Sequence, residues 1–361
     1  MIPIPRLRIL PSNSPTVLLG RRPMLPALTI GCTFLLMVTA NLPFARPAKA
    51  ADLVQPFYSR NMNPFVQIYG LPAAEGAVPT PASHLATRLV LDIANNYSGS
   101  TSQGEESVIR GETYRSVLAM RYGLQNNLEI GIDLPYIAQS RGNFNDFIRE
   151  WHKTFGLPGG GRDEATDDQL LYSYTENGKE TFAIDDSASG LGDILLSAAM
   201  PIWKGNGQQP RRLALRAALK LPTGSTSNLL GSGSTDFSLR LCGEDPQTFA
   251  AAQISWFGSL GALFMTEGDV IADRQRQAVG FGTLGFGWQP LSWLAMKLQI
   301  DGHTAFYDSA LTELGDPSAQ LTMGGTLGLP TDIMLDLAVS EDIVVDTAPD
   351  VVFHFDLRRT F

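Results

Sequence analysis

Val351-Val352-Phe353-His354-Phe355-Asp356-Leu357-Arg358-Arg359-Thr360-Phe361 is the last stretch of this 361-residue chain. Val351, Phe353, Phe355 and Leu357 fall on one face of an extended strand, and Val352, His354, Asp356, Arg358 and Thr360 on the other. Period two with one continuous apolar face, carried to a terminal aromatic, suits a lipid-facing strand that closes a barrel against the first strand. Phe353, Phe355, Leu357 and Phe361 are therefore expected to form a C-terminal signal for a barrel-assembly machinery. Arg359 breaks the pattern by sharing the apolar parity, but near a membrane interface such a cation costs only about 0–1 kcal/mol.

The start of the chain agrees with export. Arg6, Arg8, Arg21 and Arg22 precede an apolar run from Leu25 to about Pro43, and Ala48-Lys49-Ala50 offers a small-x-small cleavage site. Residues 1–50 read as a signal peptide, with the mature chain beginning at Ala51. An uncleaved membrane helix is the alternative, disfavoured by Pro26, Pro43 and the cleavage site. No later helical run is long enough to span a bilayer, so an integral mature protein must be a barrel, the other structure that pairs every backbone group in lipid.

Six of the 27 basic residues and none of the 36 acidic ones lie in the first fifty positions, leaving −15 on residues 51–361. That acidity argues against a nucleic-acid partner, whose phosphates demand a basic surface. Only Cys242 follows the leader, so the mature chain has no internal disulfide, thiol metal cluster or redox CxxC.

Alternating segments are found near residues 85–97, 110–123, 128–138, 190–203, 211–221, 235–242, 249–263, 277–288, 292–304, 318–329, 332–341 and 351–361. Their connectors alternate long and short, beginning with a long one after the first strand. Outer-membrane barrels combine short periplasmic turns with longer external loops, so both mature ends should face the periplasm. The expected fold is an all-β, transmembrane, antiparallel up-and-down barrel of about twelve strands over 85–361. A soluble sandwich would not be expected to keep the long-short phase through so many strands.

Register follows from energetics. Leu213, Leu215, Ala217, Leu219 and Leu221 alternate with Arg212, Arg216 and Lys220, and a cation facing mid-bilayer lipid costs about 2–4 kcal/mol, so the three cations face the lumen. Likewise Leu294, Met296, Leu298 and Ile300 face outward, and Lys297, Gln299, Asp301 and His303 inward. Tyr97, Tyr122, Tyr136, Trp203, Trp288, Trp293, Phe306 and Phe361 near strand ends are expected to form interfacial girdles. Gly280 to Trp288 is too rich in glycine for its register to be read.

Three stretches carry a resemblance: Asn63-Pro64-Phe65 with Gly70-Leu71-Pro72; Phe155-Gly156-Leu157-Pro158 with Gly160-Gly161-Arg162; and Gly190-Leu191-Gly192-Asp193 followed by Lys220-Leu221-Pro222-Thr223-Gly224. Together they resemble an uncharacterised bacterial outer-membrane family, domain of unknown function 3187. The Gly-Leu-Gly-Asp and Leu-Pro-Thr-Gly segments are also similar to the outer-membrane transporter family of phenol meta-pathway degradation. The resemblance implies a barrel in the outer membrane of a Gram-negative bacterium. It supplies no catalytic residues.

Several features remain as functional candidates. In the long external connection at 139–188, Phe144, Phe147, Ile148, Trp151 and Phe155 share one helical face within 143–156, the face of a lid over the lumen or of a helix packed across the mouth. The acidic run after it, through Asp163, Glu164, Asp167 and Asp168, lacks the ligand order of a calcium loop. Asp193, Lys220 and Asp236 lie at the external ends of consecutive strands with inward parity, forming either a charge filter or a wall-bracing network. Residues 51–84 are Pro-rich without long alternation and are expected either to plug the lumen or to hang in the periplasm.

His303 with Asp301 two residues before it is the one pairing that suggests an oriented base, with no Ser nucleophile to match. The leading expectation is a channel or transporter for small molecules, hydrophobic ones included. Its lumen would be lined by Asp193, Arg212, Arg216, Lys220, Asp236, Lys297, Asp301 and His303, with no cofactor or metal implied. Outer-membrane lipid and lipopolysaccharide are the expected surroundings. The rival is a barrel without transport, either a surface structural protein or a lipid-modifying enzyme.

Overall fold

The computed structural model describes residues 53–142, 169–206 and 211–361. Among the described residues fifteen strands form one antiparallel sheet: β1 (Leu85–Ser102), β2 (Glu105–Gly123), β3 (Glu129–Ser140), β4 (Leu171–Glu176), β5 (Lys179–Ile184), β6 (Ala188–Leu191), β7 (Ile194–Lys204), β8 (Arg212–Leu221), β9 (Asp236–Phe249), β10 (Ile254–Met265), β11 (Ala278–Leu291), β12 (Leu294–His303), β13 (Ser318–Leu329), β14 (Ile333–Asp342) and β15 (Val351–Thr360). Twelve of them close a barrel. The circuit runs β1-β2-β3-β7 and then through β8 to β15, where Ala86 to Asn95 pair with Thr360 to Val351. β4, β5 and β6 lie outside the circuit: the β4–β5 hairpin continues the sheet from the far end of β2, and β6 pairs with β3.

The connector after β1 differs from the sequence reading. No long loop follows it: β1 and β2 run on as a hairpin to Ser102 opposite Glu105, turning on Gln103 and Gly104 with φ of 49° and 83°. Two positive φ values are the turn geometry that matches strand twist. The extension escaped notice because Ser98-Gly99-Ser100-Thr101-Ser102 carries no apolar face. β9 likewise runs to Phe249 rather than ending near 242.

Alternation holds around the wall. Phe237, Leu239 and Leu241 on β9, Met296, Leu298 and Ile300 on β12, and Leu337 on β14 are exposed, whereas Ser238, Arg240, Lys297, Gln299 and Asp336 are buried inside. On β15, Phe355 is exposed while His354, Asp356 and Arg358 are buried. β11 now has a register: Leu284, Phe286 and Trp288 face outward, and Val279, Phe281, Gly285 and Gly287 inward. Trp203, Trp288, Trp293, Tyr122, Phe249 and Phe361 are exposed at the short-turn end, an aromatic rim below the apolar belt. Phe306 is not part of a girdle, since it is buried under the long loops and stacked on Tyr69 at 5.2 Å between ring centroids.

Candidate functional site

The lumen is filled by the chain itself. Pro56, Pro64, Pro72, Pro79 and Pro81 deny residues 53–81 a regular ladder, and the segment runs extended inside the barrel with Phe57, Phe65, Ile68 and Tyr69 almost fully buried. Its backbone groups must then be satisfied by side chains of the wall.

The ascending arm follows β12 at a constant offset. Gln55 O accepts from Lys297 Nζ at 2.9 Å, and Phe57 N donates to Gln299 Oε1 at 2.8 Å. Ser59 Oγ donates to Asp301 Oδ2 at 2.8 Å, and Asn61 Nδ2 meets His303 Nε2 at 2.9 Å. Beyond β12, Tyr307 OH donates to Phe65 O at 2.9 Å. Each of these five partners is 242 residues away, so the arm climbs parallel to β12 one rung for every two residues.

At the top the chain turns back. Asn63 O accepts from the amides of Val66 and Gln67, and Arg60 Nη2 ties the turn by donating to Gln67 O and Tyr69 O, each at 2.8 Å. The tip sits in an apolar cap that includes Tyr172 and Tyr174 from β4, Ile271 from the 266–277 loop, and Phe306, Leu311 and Leu314 from the 304–317 loop. Polar groups seal its rim. Glu313, in the single-turn helix α1 (Thr312–Gly315), accepts from Ser100 and Ser107, and Glu105 accepts from Tyr174, Ser309 and the Ala310 amide. Asp346 lies in the neighbouring 343–350 loop, where burial and then the Glu313 carboxylate push its pKa up.

The descending arm returns along β8 and β9. Lys220 Nζ donates to Ile68 O at 3.2 Å, and Gly70 N to Asp236 Oδ2 at 2.6 Å. Arg240 binds Ala73 O, and Arg216 Nε donates to Gly76 O at 2.9 Å. Ala77 N reaches Glu244 Oε2 at 3.2 Å, and Thr80 N reaches Glu129 Oε2 at 2.6 Å before the chain enters β1. Close passage also explains a glycine on β11: a Cβ on Gly287 would stand 2.1 Å from Val54 Cγ1.

The eight lumen residues singled out from sequence all sit on the inner wall. Asp193, Lys220 and Asp236 come together, with Lys220 Nζ 2.6 Å from Asp193 and 3.3 Å from Asp236. Arg212 pairs with Glu244 at 2.8 Å near the short-turn end, and Arg216 with Glu129 at 2.7 Å. Lys297 pairs with Asp336 at 3.0 Å. Asp301 and His303 are not joined: Asp301 accepts from Ser59, Thr283 and Gln299, while His303 faces Asn61 and, through Nδ1, Thr304 O. Phe144, Phe147, Ile148, Trp151 and Phe155 lie outside the described residues, as does the acidic run after them.

Sequence reasoning missed the other half of the network. Glu75 of the descending arm lies against Arg121, Arg216 and Arg240; Asp133 pairs with Arg121; and Arg358 lies between Asp336 and Asp356, which also pairs with Arg88. Parity on β1, β2, β3, β9, β14 and β15 was the available signal for the wall members. Cavities of about 10 and 20 Å³ remain beside the segment, large enough for a water each.

A closed twelve-stranded barrel with an apolar belt outside, an aromatic rim and a polar, charge-paired interior has the fold of the outer-membrane channels. The chain belongs to the family described as protein of unknown function DUF3187, which matches residues 33–361. No curated protein matches its sequence. Among solved structures it is similar to the COG4313 outer membrane channel from Pseudomonas putida F1, at 11% identity and a TM-score of 0.54, covering 79% of this chain and 98% of that one. More remote is the Pseudomonas putida toluene transporter TodX, at 8% identity and a TM-score of 0.32, covering 88% of this chain and 98% of that one.

Proposed function

We propose that the protein is an outer-membrane channel for small solutes in which residues 53–80 act as a resident plug. The short turns and both ends of the mature barrel stand in the periplasm, and the long loops face outside. Passage requires the segment to leave at least part of the lumen, because its backbone and the wall's charged groups occupy each other along both arms. The constant 242-residue offset between the ascending arm and β12 carries the reading, since a segment merely trapped in a lumen has no reason to keep register with one strand.

A filled lumen also suits the rival, a barrel that does not conduct and serves as a surface scaffold. Planar-bilayer recording separates them. The full mature chain is expected to give rare, brief openings and a variant lacking residues 53–79 stable ion-selective steps; silence from both, with folding verified, would remove the channel. Signal-peptide cleavage at Ala50 is checked by mass spectrometry of protein from outer membranes.

A further inference from the structure

Arg216 on β8 and Arg240 on β9 are directly opposed in the ladder, and both are buried. Like charges at such a position repel, so this pair stands only if an anion lies between the two. Arg121 reaches the same place from β2, passing over Gly131 of β3, where an added Cβ would come within 2.4 Å of Arg121 Cδ. The wall offers Glu129 to Arg216 and Asp133 to Arg121, at 2.7 and 2.6 Å. Three guanidiniums thus meet two wall carboxylates. The missing negative charge comes from the plug: Glu75 Oε1 lies 3.0 Å from Arg121 Nε and 3.6 Å from Arg216 Nη1, and Glu75 Oε2 lies 2.7 Å from Arg240 Nη2.

The same two arginines hold the plug backbone on either side, Arg240 at Ala73 O and Arg216 at Gly76 O. When the descending arm leaves, donors from three strands converge on an empty space with one uncompensated positive charge. A cavity of about 10 Å³ already borders it between Glu75, Arg216, Arg240 and Ser238. Planar guanidinium forks favour carboxylates, and a buried cationic cluster with no counter-charge is strongly disfavoured.

We infer that the Arg121–Arg216–Arg240 cradle is an anion-binding site of the transport path, filled at rest by the plug's own Glu75, and that the solute which replaces it bears a carboxylate. This rests on the plugged-channel reading and names its substrate class. A solute of this kind opens the channel by competing for the cradle, so that binding and release of the descending arm are one event.

The test uses the full mature chain, refolded in detergent, and sodium acetate as probe, with sodium chloride at equal ionic strength as control. Glu75→Ala removes the carboxylate and leaves room for acetate; Glu75→Gln fills the same room without charge. Glu75→Ala is expected to unfold at a lower temperature than wild type and to recover Tm in proportion to acetate, with no recovery in chloride, while Glu75→Gln recovers with neither. Acetate and chloride acting alike on Glu75→Ala would overturn the site. Should Glu75→Ala fail to fold, acetate present during refolding decides: recovery of folded protein with acetate alone upholds the site, and recovery with neither salt overturns it. None of these readouts needs current. A barrel silent in bilayers would therefore refute transport without touching the acetate result, and an acetate-blind barrel that conducts would refute the cradle alone.

Discussion

A covalent lock between plug and wall follows from the contact of Val54 with β11. A Cβ on Gly287 would stand 3.1 Å from Val54 Cβ. Disulfides need about 3.5–4.5 Å between Cβ atoms, so Val54→Cys with Gly287→Cys requires the arm to move out by only a few tenths of an ångström. Cys242 is buried and stays in place. The bridge closes a loop of about 230 residues, which on chain entropy alone is worth about 5 kcal/mol to the folded state. More important, it fixes the foot of the ascending arm inside the lumen. Bridge formation is read by altered mobility on unreduced gels, and flux by swelling of liposomes in a permeant solute. The descending arm stays free to leave β8 and β9, so the oxidised protein is expected to be as permeable as the same protein reduced with dithiothreitol. Absence of the bridge in folded protein would refute the placement of Val54. A fully bridged protein that is impermeable until it is reduced would refute an opening that leaves the ascending arm in place.

Three further perturbations test the wall and the cap. Leu298→Arg, on the exposed face in the middle of β12, is expected to lower stability by about 2–4 kcal/mol in urea titrations in lipid, and an unchanged midpoint would remove the lipid-facing assignment. Lys220→Met leaves Asp193 and Asp236 buried without their cation and should cost about 3–5 kcal/mol, read as loss of heat-modifiable mobility; a loss under about 1 kcal/mol would show the pair to be solvated. Asp346 has a raised pKa in the folded protein, so its charged form opposes folding at neutral pH, and stability is gained as pH falls through the folded value toward the unfolded one near 3.9. Asp346→Asn should therefore be more stable than wild type at pH 7 and indistinguishable from it near pH 3; a constant difference across that range would exclude the carboxylate as the cause.

The barrel was legible because lipid enforces parity: on β8, β12 and β15 one slip would put Arg212, Lys297 or Asp356 outside, and the sequence leaves no second choice. Where parity carries no chemistry, reading stopped. Ser98 to Ser102 is polar on both faces, so the upper β1–β2 hairpin resembled a loop. β11 spends inward positions on Gly285 and Gly287, and a glycine facing a plug cannot be told from one facing lipid. The charged wall could be assigned a direction but not partners, because ion pairs such as Arg88 with Asp356, across the β1–β15 seam, depend on the closed circuit. The filling of the lumen was the least accessible fact, since the rungs that join the ascending arm to β12 span 242 residues. The prolines of 53–81 signal only that the segment forms no ladder of its own.

The two halves of the plug are retained by different physics, and this bears on how a channel of this design opens. The arms are tied by hydrogen bonds and ion pairs whose wall partners, among them Lys297, Gln299, Arg216 and Arg240, can be solvated once water enters, so a rung to a neutral partner contributes about 0.5–1.5 kcal/mol net and one to a charged partner about 1.5–3 kcal/mol. The tip is different. Phe65, Ile68, Tyr69 and Leu71 are buried in the apolar cap, with the Phe65 ring edge-on to Phe182 at 6.0 Å between centroids, and returning four such side chains to water costs about 6–12 kcal/mol. Withdrawal of the whole segment toward the short-turn end would incur that cost in full, while detaching the descending arm from β8 and β9 incurs only the polar part. The cheaper opening keeps the tip beneath the loops and frees the Glu75 stretch, which is where an incoming carboxylate has something to replace.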